Sequence, residues 1–206
     1  METGALSPAP CVSIVDDDAL VLRSLGRVLK SAGFAVRTFP SAQEFLAQHQ
    51  GASAGCVVLD LAMPGLSGLE VQKRLAASTN PGAVVFLSGQ SDVAAGVAAM
   101  KAGAVDFLTK PIDRETLIAA VRAALTRDQD ARAEREQRRS VEARFASLTP
   151  REREVLAGVV AGRLNKQIAA ELGTAEKTVK VHRARVMKKM QAGSLVALVQ
   201  LAAQLR

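Results

Sequence analysis

Five short apolar runs, each followed by a stretch of helical spacing, occupy residues 11–125 and constrain the fold more than any other feature. Cys11–Val15, Phe34–Phe39, Cys56–Asp60, Ala83–Leu87 and Ala104–Leu108 read as strands. Between them, residues 19–32 place Leu22, Leu25, Val28 and Leu29 on one side, with Gly33 as a stop. Ser41 and Glu44 have capping-box spacing and open a helix through Ala47, and Ser67 and Glu70 open another at 68–77. A fourth helix is expected from about 91 to 102, ending at Gly103. Asp113 caps a fifth that contains Leu117, Ile118, Val121 and Leu125. Successive β–α units imply an α/β fold, a doubly wound parallel sheet with helices on both faces.

The carboxyl ends of parallel strands gather along one edge, where open α/β sheets bind ligands. Asp16, Asp17, Asp60, Ser88 and Lys110 all stand at strand ends. A polar strand end is ordinary for any one of them, and Asp60 alone reads equally well as a turn cap before Pro64-Gly65. As a set they point to a site. Clustered carboxylates repel one another unless a hard cation neutralises them, and Mg²⁺ suits one or two carboxylates, a backbone oxygen and water. With charge balanced in that way, Asp60 is able to act as a nucleophile toward a phosphoryl group. Lys110 supplies a point charge to phosphoryl oxygens and Ser88 a hydroxyl donor.

Charge separates the rest of the chain into two further parts. Lys/Arg and Asp/Glu balance in residues 1–127 (11 against 11) and in 128–147 (5 against 5). Residues 148–206 carry 11 basic against 4 acidic side chains, the whole of the formal +7. A positive field confined to a short segment indicates a polyanionic partner. Trp and Tyr are absent and no Phe follows Phe145, so stacking of unpaired bases has no platform there and duplex DNA is favoured. Residues 128–147 lack Gly and Pro and read as a solvated helical spacer. Thr149-Pro150-Arg151-Glu152 is a strong helix start, with Val155, Leu156, Val159 and Val160 inward and Gly162 as the stop. Asn165 is expected to cap a short helix through Leu172, Gly173 to turn the chain, and a third helix to run from about 176 to 190. Ser194 caps the last helix, with Leu195, Leu198, Val199 and Ala202 at helical spacing. Short helix, glycine turn, second helix is the helix-turn-helix pattern.

In the third of these helices, helical spacing puts Val179, His182, Val186 and Met190 on a packing side. Lys177, Lys180, Val181, Ala184 and Lys188 fall opposite. With Thr178 they form the expected DNA-contact set, lysines serving phosphates or guanine edges and Val181 and Ala184 thymine methyls. A lysine-rich face is most often only solvated; its place after a helix and turn favours DNA. Cys11, Cys56, His49 and His182 fit no zinc spacing, and a redox pair of the two cysteines is disfavoured although neighbouring strands could bring them close. Residues 1–10 read as a flexible tail without a secretory pattern, and no run is long enough for a membrane span. A cytoplasmic location is expected.

Ile14-Val15-Asp16-Asp17-Asp18, Leu59-Asp60-Leu61-Ala62-Met63-Pro64-Gly65 and Asp106-Phe107-Leu108-Thr109-Lys110-Pro111 resemble the signatures of two-component response regulator receiver domains. Leu148-Thr149-Pro150-Arg151-Glu152-Arg153-Glu154-Val155-Leu156, Asn165-Lys166-Gln167-Ile168-Ala169 and Lys177-Thr178-Val179-Lys180-Val181-His182-Arg183 resemble the LuxR-type helix-turn-helix. The whole is similar to the FixJ/NarL group. That resemblance implies a tail at 1–10, a receiver at 11–127 with strand order 2-1-3-4-5, a helical linker at 128–147 and a DNA-binding domain at 148–206. It implies Asp60 as phosphoacceptor for a sensor histidine kinase, with Lys110 and Ser88 on the phosphate. Mg²⁺ would be held by Asp17 and Asp60, by the Ala62 carbonyl, and by Asp16 through water. Ser88 and Phe107 would be the switch pair, and phosphorylation would promote a homodimer that binds double-stranded DNA and engages RNA polymerase. Two positions depart from the family: Phe107 has no hydroxyl, and Ala175 stands where a Ser usually caps the recognition helix, leaving Thr174 as its substitute.

The expectation is therefore a regulator, not an enzyme beyond self-phosphorylation from small donors and autodephosphorylation. An aspartate-nucleophile phosphatase is the rival, because Asp16-Asp17-Asp18 superficially offers D-x-D-x-[TV]. Leu20 stands where Thr or Val is required, and a phosphatase leaves the basic tail unexplained. An atypical regulator that takes no phosphate is the third reading; the intact Asp16, Asp17, Asp60 and Lys110 set speaks against it.

Overall fold

The computed structural model describes residues 11–49, 55–89 and 93–205. The tail expected at 1–10 and the first residues of the helix expected from 91 lie outside these. The chain divides into two compact units, one ending at Arg132 and the other beginning at Ala133.

The first unit alternates β1 (Cys11–Val15), α1 (Ala19–Ser31), β2 (Ala35–Phe39), α2 (Ala42–Gln48), β3 (Cys56–Asp60), α3 (Gly68–Ala76), β4 (Ala83–Ser88), α4 (Val93–Lys101), β5 (Asp106–Thr109) and α5 (Arg114–Ala146). The strands form one parallel sheet in the order β2-β1-β3-β4-β5. Strand periodicity divides its side chains between two cores. Val12, Ile14, Val58, Val85 and Leu87 meet Leu22, Leu25 and Leu29 of α1 and Leu117, Val121 and Ala124 of α5. Val15, Leu59, Val84 and Phe86 meet Phe45 of α2, Val71 and Leu75 of α3 and Ala99 of α4. β3 and β4 are buried along their whole length, which is why they read as unbroken apolar runs.

The same parity settles the cysteines. Cys56 shares its core with Val12, its registered partner on β1. Cys11 is one residue removed and so projects from the opposite face. Neighbouring strands do not pair these thiols; both are free, and burial pushes the Cys56 thiol well above its ordinary range.

Caps set several boundaries. Asp18 accepts from the Leu20 N–H at 2.7 Å and starts α1, and Ser41 accepts from the Glu44 N–H. Ser67 and Glu70 close a full capping box on α3. Asp113 accepts from the Glu115 and Thr116 N–H groups at the start of α5. The fifth strand begins at Asp106, two residues later than its apolar run suggests. Ala104 is not in the ladder because its N–H closes the end of α4 on the Ala99 carbonyl.

α5 is a single helix of 33 residues, and the boundary between the units falls within it. The second unit continues with α6 (Pro150–Val160), α7 (Asn165–Glu171), α8 (Glu176–Met190) and α9 (Leu195–Ala203). Thr149 and Glu152 form the expected capping box, with Pro150 in the first turn. The core joins Val155, Leu156, Val159, Ile168, Val179, Val186, Met190 and Leu198. Val141 is also fully buried in it and Phe145 packs against it, so the stretch 128–147 is not uniformly solvated. Asn165 does not cap α7. Leu164 is the cap residue, and its N–H donates to the Gln167 side chain at 2.8 Å. Gly173 turns the chain with φ +61°, a left-handed conformation that costs a residue with a Cβ about 1–2 kcal/mol. Ser194 caps α9 as expected.

Candidate functional site

The carboxyl edge of the sheet brings together residues far apart in sequence. Parallel pairing puts the ends of β1, β3 and β4 side by side; Asp60 and Ser88 are the last residues of β3 and β4, and Asp16 follows β1 directly. Asp16 is fully buried, and Asp60 and Ser88 are each 4% exposed. Lys110, just past β5, reaches between the two carboxylates. Its Nζ donates to Asp16 Oδ2 and Asp60 Oδ1, each at 2.6 Å. The Lys110 N–H donates to the Ser88 carbonyl at 2.7 Å, which anchors the base of the side chain. The remaining carboxylate oxygens are also engaged: Asp16 Oδ1 accepts from the Asp18 N–H and Asp60 Oδ2 from the Ala62 N–H, both at 2.9 Å.

These residues line a cavity of about 490 Å³ with Asp17, Asp18, Leu61, Ala62 and Gly89. Its wall is held close by Gly68, the first residue of α3. The Gly68 N–H donates to the Leu61 carbonyl at 3.0 Å, and a Cβ there would lie 2.4 Å from the Asp60 carbonyl oxygen. Only glycine fits at this approach.

Burial raises the Asp60 carboxyl above the ordinary aspartate range, Lys110 opposes that shift, and Asp16 adds to it. The Lys110 ammonium is raised: burial works against it, but its hydrogen bonds and charge attraction to Asp16 and Asp60 prevail. Lys110 is thus the counter-charge already present. Among the described residues no three His, Cys, Asp or Glu side chains converge tightly enough to cage a metal by themselves. The donors available here, two or three carboxylates, the Ala62 carbonyl and space for water, match in kind what Mg²⁺ takes, since it keeps several waters. Asp18, also on the cavity wall, caps α1 through Oδ1.

Phe107 is half-buried on β5. With Val93, Gly96, Val97, Met100, Lys101 and Thr109 it lines an apolar groove of about 470 Å³. Val93, Val97 and Met100 are exposed by 75%, 47% and 46%. The sequence did not mark this apolar surface on α4 as exposed.

In the second unit, Val179, Val186 and Met190 of α8 are buried, and His182 is half-buried beside them. Lys177, Thr178, Lys180, Val181, Ala184 and Lys188 are all exposed. Ala175 is the N-cap of α8 and no side chain caps it, so Thr174 does not take that part.

Residues 12–122 match the family model of the response regulator receiver domain. Residues 146–202 match that of the bacterial regulatory proteins of the luxR family. The chain is a response regulator. It is 46% identical over 191 residues to the Transcriptional regulatory protein FixJ of Bradyrhizobium diazoefficiens, covering 93% of each. It is 43% identical over 189 residues to the Tetrathionate response regulatory protein TtrR of Salmonella typhimurium, covering 92% of this chain and 90% of that one. Among solved structures, the response regulator StyR superposes with a TM-score of 0.85 at 44% identity, over 95% of this chain and 99% of the other. Full-length FixJ from B. japonicum gives 0.59 at 45% identity, over 95% and 96%. This regulator therefore joins a receiver domain to a LuxR-type DNA-binding domain in the manner of FixJ. No helix among its described residues is long and apolar enough to cross a membrane.

Proposed function

We propose that the regulator is phosphorylated on Asp60 by a sensor histidine kinase, and that phosphorylation promotes dimerisation and binding to specific duplex DNA sites that control transcription. The observation that carries this reading is the Lys110 bridge to Asp16 and Asp60 at 2.6 Å, at the open carboxyl edge of the sheet. An Asp60 oxygen attacks phosphorus, the bond to the donor breaks, and the phosphoryl group remains on Asp60 as an acyl phosphate. Asp17, Asp60 and the Ala62 carbonyl would hold Mg²⁺, with Asp16 acting through water, and the ion would supply charge neutralisation. Lys110, released from Asp60, pairs with the phosphoryl oxygens, and Ser88 donates its hydroxyl to them.

The phosphoryl group adds roughly −1.5 to −2 charge. Moving Lys110 and Ser88 toward it biases an existing equilibrium at β4, β5 and α4, the elements that carry Ser88, Phe107 and the exposed apolar groove. A second copy of the receiver is the occupant that groove suits, because two like surfaces meet about a two-fold axis and align two recognition helices on matching half-sites. On α8, Lys177, Thr178, Lys180, Val181, Ala184 and Lys188 contact DNA.

Incubation with acetyl phosphate and Mg²⁺ tests the chemistry by intact mass. Wild type gains one hydroxylamine-labile phosphate and Asp60→Asn gains none. Sedimentation and DNA titration with and without the donor test the coupling. Equal labelling of both proteins, or labelling that changes neither association nor DNA affinity, refutes the proposal.

A further inference from the structure

The recognition helix packs on the rest of its unit along a line of buried side chains with half-buried flanks. At about 100° per residue, Val179, Val186 and Met190 of α8 fall within about 40° of one another. These three are its fully buried side chains. Met187, about 80° to one side of that line, packs against the same core, and Lys189, about 80° to the other, donates to Glu152 Oε2 at 2.7 Å, so the roll of the helix rests on what its two flanks hold. Ala175 supplies no side-chain cap at its N-terminus.

A polar tie lies on the flank of that line. Arg183, about 40° around the helix from Val179, donates from Nη1 to Asn165 Oδ1 at 3.2 Å. Asn165 is the first residue of α7, and both side chains are half-buried. Asn165 is not needed as the cap of α7, since Leu164 and Gln167 satisfy that end. Its carboxamide is therefore available to α8. Lys180, Val181, Ala184, Lys188 and Lys177 occupy the outward arc, about 100–200° from Val179. A side chain ends about 6 Å from the helix axis, so a roll of about 10° displaces it by about 1 Å. That is more than the tolerance of a bidentate base contact.

We infer that Arg183 and Asn165 are positioning residues for sequence readout: their hydrogen bond sets the roll of α8 and with it the register of Lys180, Val181 and Ala184 on the base edges. The inference rests on the DNA-binding reading proposed above. Arg183 acts here through Asn165 and not as a phosphate contact, a distinction salt dependence resolves.

The test uses the full-length chain and a duplex that the wild-type protein itself enriches from a random-sequence pool, with a scrambled duplex as reference. The readout is discrimination, the ratio of the two affinities, measured over a salt series. Failure of the wild type to enrich any sequence overturns the DNA-binding reading on which the inference stands. Given enrichment, Asn165→Ala is expected to lose about tenfold in discrimination, the size of one hydrogen bond to a charged group, with an unchanged salt slope. Arg183→Ala loses a similar factor, and the double variant loses no more than either. Arg183→Lys does not rescue, because an ammonium on a different stem cannot reproduce the guanidinium geometry. Asn165→Asp keeps the acceptor and retains discrimination while binding both duplexes more weakly. Unchanged melting of the second unit separates these outcomes from unfolding. If Asn165→Ala, folded, discriminates as wild type does, or if the double variant loses the product of the two factors, the positioning role is wrong. An Arg183→Ala slope lower by about 1 with no effect of Asn165→Ala assigns Arg183 to phosphate instead and equally overturns it.

Discussion

Replacing Lys110 with methionine leaves a stem of similar length and removes the one charge that the two buried carboxylates share. Asp16 and Asp60 each lie 2.6 Å from Lys110 Nζ, with side chains 0% and 6% exposed. Both oxygens touch one nitrogen, so they stand about 5 Å apart at most, and their repulsion at an effective dielectric of 20 is about 3 kcal/mol. Breaking a buried pair by deleting one partner costs roughly 3–5 kcal/mol. Lys110 is itself 23% exposed and the cavity admits water, which places the expected loss at the lower end, about 3 kcal/mol at pH 7. With a urea slope of about 1.5 kcal/mol/M, the midpoint falls by about 2 M. The sign of the pH dependence follows from Asp60. Its folded carboxyl is already raised above 3.8, and loss of Lys110 raises it further. The penalty of ionising it is complete above the folded value and absent below 3.8, so the variant recovers as pH falls toward 4. Urea unfolding of the full-length chain, read in β1, β3 and β4 peptides by pulsed hydrogen exchange, measures the loss. Adding Asp16→Asn to Lys110→Met removes the repulsion and is expected to restore more than half of it. A midpoint within 0.3 M of wild type (about 0.5 kcal/mol at that slope), or no recovery in the double variant, refutes this account of the site.

Two further expectations concern the second unit. Val141→Ala empties part of its core and lowers its stability by about 2 kcal/mol without changing protection of the receiver strands; hydrogen exchange of the full-length protein reads both at once, and equal loss in the two units contradicts the assignment of Val141. Glu152 is held down to about 2 by the Lys189 ammonium at 2.7 Å and by the Thr149 N–H. A depressed carboxyl stabilises the fold above its unfolded value near 4.5, and that contribution is lost as pH falls from 4.5 through about 2. Acid titration of melting temperature is therefore expected to be steep for wild type in that window and flatter for Glu152→Gln.

What the sequence disclosed depended on range. β3, β4 and the capped starts of α2, α3, α5, α6 and α9 were readable because a buried strand is apolar at every position and a cap is a matter of residues within one turn. The set at the sheet edge was readable as a list, since each member ends a strand. Its geometry was not: Lys110 meets residues 94 and 50 positions away, and only the pairing of β1, β3, β4 and β5 makes them neighbours. Asn165 misled by residue type, because asparagine is a common cap, whereas the decisive signal was Gln167 three residues after Leu164. Ala104 misled by hydropathy, since an alanine that closes a helix looks the same as one that begins a strand.

The stretch 128–147 shows the limit most clearly. Val141 and Phe145 are the only large apolar side chains in a stretch otherwise dense in charge, too few to form a stripe, so periodicity assigns it to solvent. Their burial is decided by the core of the second unit, not by the pattern of the helix that carries them. A DNA-binding fragment cut at 148 follows the sequence pattern but discards a fully buried valine and a packed phenylalanine. Burying a valine alone contributes about 1.5–3 kcal/mol, a large share of the stability of so small a unit. A fragment of residues 133–206 is expected to melt as one cooperative unit and well above a fragment of 148–206, and equal melting of the two would mean that Val141 and Phe145 contribute nothing outside the intact chain.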